Sequence, residues 1–350
     1  MCDTFRELFS SGAAPWVSFP ELPRAAWSRS SSSKEPEKTE NPAPESAQAA
    51  PATPAAPQIA GPASYTKDDF LAQTFLEPAA YDALAETLEH KKNLILQGPP
   101  GVGKTYIARR LAWALAGAKN AERVRLVQFH QNTSYEDFIM GFRPVENGFK
   151  LKEGIFPAFC QQAAQDKSHN YYLIIDEINR GNTSKIFGDM FMLLEKDKRG
   201  EENGIPLLYR PEQKFSIPKN LFLIGTMNTA DRSLAMLDYA LRRRFAFYDL
   251  EPAFCSARFG AYAQELKNAA FTALVSAVEE VNRAIADDPA LGDGFRIGHS
   301  YFSNFTPETL TPAKLRSLVE HELIPLLREY WFDEPEKARI WAGRLRACLK

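Results

Sequence analysis

Residues 98–105 read "GPPGVGKT". They follow the apolar run "NLILQ" (93–97) and precede a helical pattern over 105–117 that ends on Gly117. Strand, glycine-rich loop and helix in that order are the context in which G-x-x-x-x-G-K-[ST] holds phosphate. Glycines let the backbone bend tightly enough to aim several N–H groups at phosphate oxygens, and the helix N-terminus adds a partial positive charge. The candidate nucleotide-binding residues are therefore Gly98, Pro99, Pro100, Gly101, Val102, Gly103, Lys104, Thr105 and Tyr106. Lys104 would reach the β- and γ-phosphates, and Thr105 would offer its hydroxyl to Mg²⁺.

Working outward, residues 171–180 read "YYLIIDEINR". An apolar strand that ends in two acids, downstream of a phosphate loop, supplies the loop's partner. Asp176 would hold Mg²⁺ through its water shell, and Glu177, one residue on, would polarise the attacking water. Further strands are expected over 123–130, 220–227 and 245–250, and helices over 77–90, 154–166 and 185–196. A helix is also expected from a Thr66/Asp69 capping box, carrying Phe70, Leu71, Phe75 and Leu76 at helical spacing. Short apolar strands between helices mean a parallel sheet covered on both faces. Two insertions read as hairpins. Asn147-Gly148 signals a type I′ turn within 142–156, and "RPEQ" separates "IPLLY" from "KFSI" within 204–218. Each is either surface decoration or a docking surface. Residues 255–350 read as a small helical second domain, interrupted by "FRIGHSYF" (295–302).

The stretch 226–245, "TMNTADRSLAMLDYALRRRF", contains an Asn-x-x-Asp that resembles the guanine grip of small GTPases. Its position argues otherwise. In ring-forming P-loop ATPases the strand ending here lies between the other two, so Asn228 would face the γ-phosphate or the attacking water. The residue expected to stack over a purine is Thr229 rather than lysine. Arg242, Arg243 and Arg244, after a helix over 233–241, then fall where a guanidinium faces the next subunit's phosphates.

The remainder sets bounds. The chain has 350 residues, 45% hydrophobic and 25% charged, with a net charge of -2. Nothing in the overall charge asks for nucleic acid. Cys2, Cys160, Cys255 and Cys348 are scattered, which fits a reduced, cytoplasmic protein. No apolar run approaches the ~18–20 residues of a membrane span. Residues 34–64 hold seven prolines and nine alanines, so 1–64 reads as a disordered N-terminal segment with a Pro/Ala-rich linker.

Taken together, "LQGPPGVGKT", "VQFHQNTSYEDFIMGFRP", "DEINRGNTSKIFG", "LLEKDKRG", "MNTADRSLAMLDYALRRRF" and "GFRIGHSYF" resemble the McrB family, the GTP-hydrolysing AAA+ subunits of McrBC modification-dependent restriction systems. The likeness runs from about residue 65 to the C-terminus. It implies an AAA+ α/β domain over 65–252, with a five-stranded parallel sheet sandwiched by helices, and a helical lid over 253–350. It implies a hexameric ring with GTP and Mg²⁺ at subunit interfaces, a McrC-type nuclease partner, and DNA contacted through the complex. By match, Glu177 with Asn179 would place the water and Asn228 would sense the γ-phosphate. Arg243 and Arg244, helped by Arg180, would act in trans. His299 and Ser300 would border the nucleotide. Full-length relatives carry an N-terminal domain that reads modified cytosine, whereas residues 1–64 precede the motor here; the resemblance implies either a short form, recognition of DNA by another polypeptide, or a sequence that starts inside a longer protein, and selective binding of modified DNA by this chain is not expected. "DEINR" also fits MoxR-like ATPases that remodel protein partners, for which ATP would be the substrate. A nucleotide-gated scaffold with little turnover is disfavoured by Glu177 and the arginines.

Overall fold

The computed structural model describes residues 62–231 and 239–350. The expectations placed on residues 1–61 and on 232–238, which include most of the helix read over 233–241, lie outside the described residues.

The chain enters α1 (Lys67–Gln73) through the expected capping box. The Thr66 hydroxyl accepts from the Asp69 N–H, and the Asp69 carboxylate accepts from the Thr66 N–H. Phe75 and Leu76, expected on this helix, lie beyond its end. Phe75 packs edge-on against Phe259 and His299 of the C-terminal region instead, so tertiary contact outweighs helical spacing. There follow α2 (Pro78–Lys91), β1 (Asn93–Gly98), α3 (Lys104–Ala116), β2 (Val124–Gln128) and the single turn α4 (Tyr135–Phe138). The hairpin β3 (Met140–Val145) and β4 (Gly148–Glu153) leads to α5 (Ile155–Gln165), β5 (Tyr171–Asp176) and α6 (Thr183–Phe187). The hairpin β6 (Ile205–Leu207) and β7 (Arg210–Phe215) precedes β8 (Leu221–Asn228), α7 (Tyr239–Arg244) and β9 (Ala246–Asp249).

Five strands form one parallel sheet in the order β2-β5-β8-β1-β9. The strand from 221 therefore lies between the phosphate-loop strand and the acidic strand, as its sequence position implies. Alternate side chains feed two cores. Ile95, Ile175 and Leu223 pack with Phe159 and Phe187 on one face. Leu94, Leu96, Ile174 and Ile224 pack with Ala108 and Leu111 of α3 on the other. Each such leucine or isoleucine is fully buried and contributes about 1.5–3 kcal/mol. The register sets the C-terminal strand ends level: Leu96 is opposite Thr226, Gly98 opposite Asn228, and Gln128 opposite Asp176.

Four local expectations change. The helix read over 185–196 stops at Phe187 and continues as 3₁₀ turns, because Gly188 takes φ 48° and its α-carbon sits against the Tyr135 ring; a Cβ there would lie 2.8 Å from that ring. The Asn147-Gly148 hairpin forms, but its loop residues Glu146 and Asn147 do not take the positive φ that a type I′ turn needs; Gly148 alone does, at 127°. In the second hairpin the turn is at Leu208-Tyr209, where Leu207 pairs with Arg210, and "RPEQ" belongs to β7. The three arginines lie on α7 rather than after it.

The C-terminal region is helical: α8 (Ala257–Glu265), α9 (Ala269–Ala286), α10 (Pro312–Leu318), α11 (Ile324–Tyr330) and α12 (Pro335–Ala347), with a π turn joining α10 to α11. Phe271, Val278, Phe302, Leu323, Leu327 and Trp331 form its core. The buried Asp288 carboxylate accepts from the Trp331 indole at 2.8 Å and from Lys337, which hold its pKa down at about 2. The interruption 295–302 docks this region on the phosphate loop. The Ser300 N–H donates to the Gly101 carbonyl at 2.9 Å, and Gly298 lies directly against Gly101.

That junction gives a prediction. A methyl on Gly298 would fall 2.0 Å from the Gly101 carbonyl carbon and 2.6 Å from the Pro100 oxygen. Gly298→Ala should cost about 1–3 kcal/mol through overpacking, read as a lowered melting temperature, and should weaken nucleotide binding. Gly343→Ala, on α12 with nothing within 4 Å of the added carbon, should be neutral or stabilising. Equal melting curves for the two variants would contradict the close contact.

Candidate active site

The phosphate loop takes the backbone its glycines permit, with Gly101 at φ 78° and Gly103 at φ 77°. Gly103 caps α3 without a side-chain hydrogen bond, so the first-turn N–H groups remain open to an anion. Val102 is buried and anchors the loop in the core. Lys104 is 8% exposed, and its ammonium folds back to donate to the Gly98 carbonyl at 3.0 Å and the Pro99 carbonyl at 2.8 Å. Burial lowers its pKa to about 8, against the opposing pull of Glu177, Asp176 and Asp231. Tyr106 is exposed on the next turn, with the Arg110 guanidinium 3.2 Å from its ring centre.

The ends of β5 and β8 converge on this loop. The Thr105 hydroxyl donates to Asp176 Oδ1 at 2.6 Å, and the Thr226 hydroxyl donates to the same oxygen. One carboxylate beside one hydroxyl is a set of hard oxygen donors that suits Mg²⁺, with water and phosphate completing the shell. Thr226 was not singled out in the sequence; a hydroxyl in an otherwise apolar buried strand was its signal. Glu177 sits at φ 53°, a strained conformation for a non-glycine residue. Both its oxygens are engaged: Asn228 donates to Oε1 at 2.6 Å, and Arg180 Nε donates to Oε2 at 3.2 Å. The other end of Arg180 reaches Asp231 at 3.3 Å. In the single subunit Arg180 thus acts on its own glutamate. Asn179 is 5% exposed, and its side-chain oxygen is sealed without a partner among the described residues.

The arginines of α7 belong to the opposite end of the sheet. Asn93, the first residue of β1, donates to the Arg244 carbonyl at 2.9 Å, whereas the phosphate loop begins at the last residue of that strand. At ~3.3 Å per residue the two ends are about 16 Å apart. Arg244 is tied down, with its guanidinium 2.9 Å from Glu195 and stacked on Phe191. Arg242 lies over Phe247. Arg243 is exposed on the wall of a basic cavity of about 660 Å³ shared with His90, Lys92, Lys196 and Lys219. Behind that wall, Arg199 is 1% exposed and donates to the Leu194 and Leu221 carbonyls and to Asn93 Oδ1. Burial lowers its pKa to about 10. Sequence reasoning gave it no role.

His299 and Ser300 lie against the phosphate loop. Ser300 holds Gly101, as described, and His299 is buried beside the phosphate loop, with Nδ1 accepting from the Ala253 N–H at 3.0 Å.

Comparison with known proteins agrees with this architecture. The family of the AAA domain (dynein-related subfamily) matches residues 93–245, and that of the McrB α-helical lid domain matches residues 273–339. The type IV methyl-directed restriction enzyme EcoKMcrB subunit of Escherichia coli (strain K12) is 47% identical over 296 residues, covering 83% of this chain and 64% of the relative. The type II restriction enzyme BsuMI component YdiS of Bacillus subtilis (strain 168) is 29% identical over 198 residues, 46% of this chain and 57% of the relative. The chain therefore spans less than two thirds of the length of these curated relatives. With an AAA domain, an McrB lid after it and 47% identity over most of its length, the chain belongs to the McrB family.

Proposed function

We propose that the chain is a GTP-hydrolysing ring motor of a modification-dependent DNA restriction complex, driving or regulating a separate nuclease subunit. The observation that carries this reading is the division of the site between the two ends of one sheet. Phosphate-binding loop, Asp176, Glu177 and Asn228 share one end, and α7 with Arg243 lies at the other, about 16 Å away along β1, which supports Arg243 acting on the site of a neighbouring copy. A closed ring, hexameric by family likeness, satisfies every such interface. GTP as substrate also rests on the family. The nuclease partner is supported by the two relatives, named as a subunit and a component of restriction enzymes. Among the described residues no helix is long and apolar enough to cross a membrane, and a cytoplasmic location fits the free cysteines Cys160, Cys255 and Cys348.

Mg²⁺, held by Thr105 and Asp176, would neutralise charge between the β- and γ-phosphates. Lys104 leaves the Gly98 and Pro99 carbonyls for phosphate oxygens. Glu177 accepts a proton from the attacking water once one of its oxygens is released by Arg180 or Asn228, and the freed Asn228 amide turns to the γ-phosphate. Asn179, buried beside Glu177 with its side-chain oxygen unpartnered among the described residues, helps Glu177 place the water. Arg243 of the neighbouring copy stabilises the charge that spreads over the γ-oxygens. Arg244 holds α7 in place.

The direct test is kcat/KM for GTP and ATP with Mg²⁺. A clear preference for GTP is expected; a clear preference for ATP would favour a MoxR-like remodeller of proteins. The Lys104 environment adds a pH dependence. Phosphate binding needs the ammonium, which the free protein holds below about pH 8 and loses above it. GTP affinity measured by titration should therefore fall as pH rises through 8, and a flat profile from 7 to 9 would contradict the buried lysine's part in binding.

The β3–β4 hairpin is the candidate contact for the nuclease partner, because Val145 and Phe149 are exposed apolar side chains at its tip. Replacing both by serine should leave the melting temperature and the unstimulated turnover as they were. It should cut stimulation by a McrC-type partner roughly tenfold, the cost of losing an aromatic anchor. Full stimulation in that variant would reduce the hairpin to surface decoration.

A further inference from the structure

A second, smaller cavity of about 220 Å³ lies beside the phosphate loop. Its walls come from three places: Gln73 at the end of α1 and Phe75 just after it, Val102 and Tyr106 of the loop and α3, and His299 and Asn304 of the lid. If phosphates occupy the N-terminus of α3, this cavity is where the rest of the same nucleotide extends. A role for the cavity in holding the base therefore rests on the phosphate-site reading.

His299 is fixed there in one tautomer. Its Nδ1 accepts the Ala253 N–H at 3.0 Å, so a neutral ring must carry its proton on Nε2. The ring is wedged edge-on against Phe75 at 5.3 Å and Phe259 at 6.5 Å, which holds its orientation. Burial lowers its pKa to about 4, which keeps the ring neutral in ordinary buffers. Nε2 has no hydrogen-bond partner among the described residues, and it is not among the sealed, unpaired polar atoms. The residue lines the cavity, so this wall offers one fixed N–H donor and no acceptor from the imidazole. A fixed donor rewards an acceptor and penalises another donor, because the mismatched pair leaves a desolvated N–H unsatisfied. Purines differ in this respect at one edge: guanine presents a carbonyl oxygen at position 6, and adenine presents an amino group.

We infer that His299 reads position 6 of a purine base, accepting an oxo group and rejecting an amino group, so that this lid cavity and not the Asn228–Asp231 stretch sets a preference for guanine. Asn228 and Asp231 are committed to Glu177 and Arg180 and lie at the γ-phosphate end.

The test varies the ligand first, on the unaltered full chain. GTP, ITP, ATP and 2,6-diaminopurine riboside triphosphate compete with a fluorescent GTP analogue in the presence of Mg²⁺, with inorganic tripolyphosphate as the base-free probe. GTP and ITP, which share the 6-oxo group, should bind at least tenfold tighter than ATP and the diaminopurine nucleotide. His299→Phe keeps an aromatic ring against Phe75 and Phe259 but removes the donor, and should bring the GTP-to-ATP affinity ratio close to one. His299→Gln, which can present an amide donor, should recover part of the ratio. If ITP groups with ATP, the 2-amino group is what is read and the inference fails. It also fails if the Phe variant folds, by its thermal melt, and keeps the full ratio. It fails again if a 7-deaza substitution removes GTP binding while the 6-position does not matter, since the donor would then engage N7. If tripolyphosphate and every nucleotide fail to bind the unaltered chain, the phosphate-site reading falls, and this one with it.

Discussion

The Asp176 carboxylate is the joint on which the active end of the molecule depends. It accepts hydrogen bonds from Thr105 at the start of α3 and from Thr226 near the end of β8, and so ties three elements at one point. The joint exists because the parallel register sets Gln128 opposite Asp176, and Leu96 opposite Thr226, with Gly98 and Asn228 two residues further on. A one-residue slip in any of these strands would turn every side chain to the other face. Because β5 and β8 are apolar on both faces, burial alone does not select the register; the polar strand ends do, since a slip would break the Thr105–Asp176–Thr226 contacts and turn Asp176 and Thr226 into the core. Sheet packing and site chemistry therefore act together: burial stabilises the sheet, and the hydrogen-bonded strand ends fix where the carboxylates stand.

The opposite end of the sheet is built on different terms. Arg199 is buried with carbonyl and amide acceptors in place of a carboxylate, bonding the beginnings of β1 and β8 to the segment after α6. Asn93 passes this network on to the Arg244 carbonyl. The backbone at the end of α7 is held at the Arg244 carbonyl, while the Arg243 side chain stands exposed on a basic cavity wall. Two arginines that look alike in sequence thus differ in surroundings: the Arg244 guanidinium lies 2.9 Å from Glu195 and over Phe191.

Much of this was legible in the sequence because the signals were local. The phosphate loop, the acidic strand, all five sheet strands, the capping box at Thr66 and the first hairpin follow from motif, period and turn residues; the second hairpin is expected too, but with its turn at "RPEQ", which lies in β7. What escaped detection depends on contacts distant in the chain. The helix over 185–196 breaks because Gly188 makes room for Tyr135, and nothing within that stretch announces the tyrosine. Phe75 leaves α1 for an aromatic cluster in the lid. The Asn-Gly dipeptide predicted the hairpin but not its turn geometry. Of the site, the residue types around the phosphates were readable. The partner of each was not: Lys104 on its own loop, Arg180 on its own Glu177, Thr226 on Asp176, and His299 locked by Ala253.

The central claim is that each hydrolytic site is shared between two copies, with Glu177 from one and Arg243 from the other. Mixing two defective variants tests it most directly. Glu177→Gln lacks the base, and Arg243→Ala lacks a guanidinium worth roughly 10³–10⁵ in rate. In mixed rings, an Arg243→Ala subunit keeps its Glu177 and can receive the intact arginine of a Glu177→Gln neighbour; a random one-to-one mixture completes about a quarter of its interfaces in this way. With co-assembly shown by tagged co-purification and the mixing ratio varied, the account predicts GTP turnover well above that of either variant alone. Mixed rings that form and show no gain at any ratio would contradict it, and would return Arg243 to its own subunit or to a structural role.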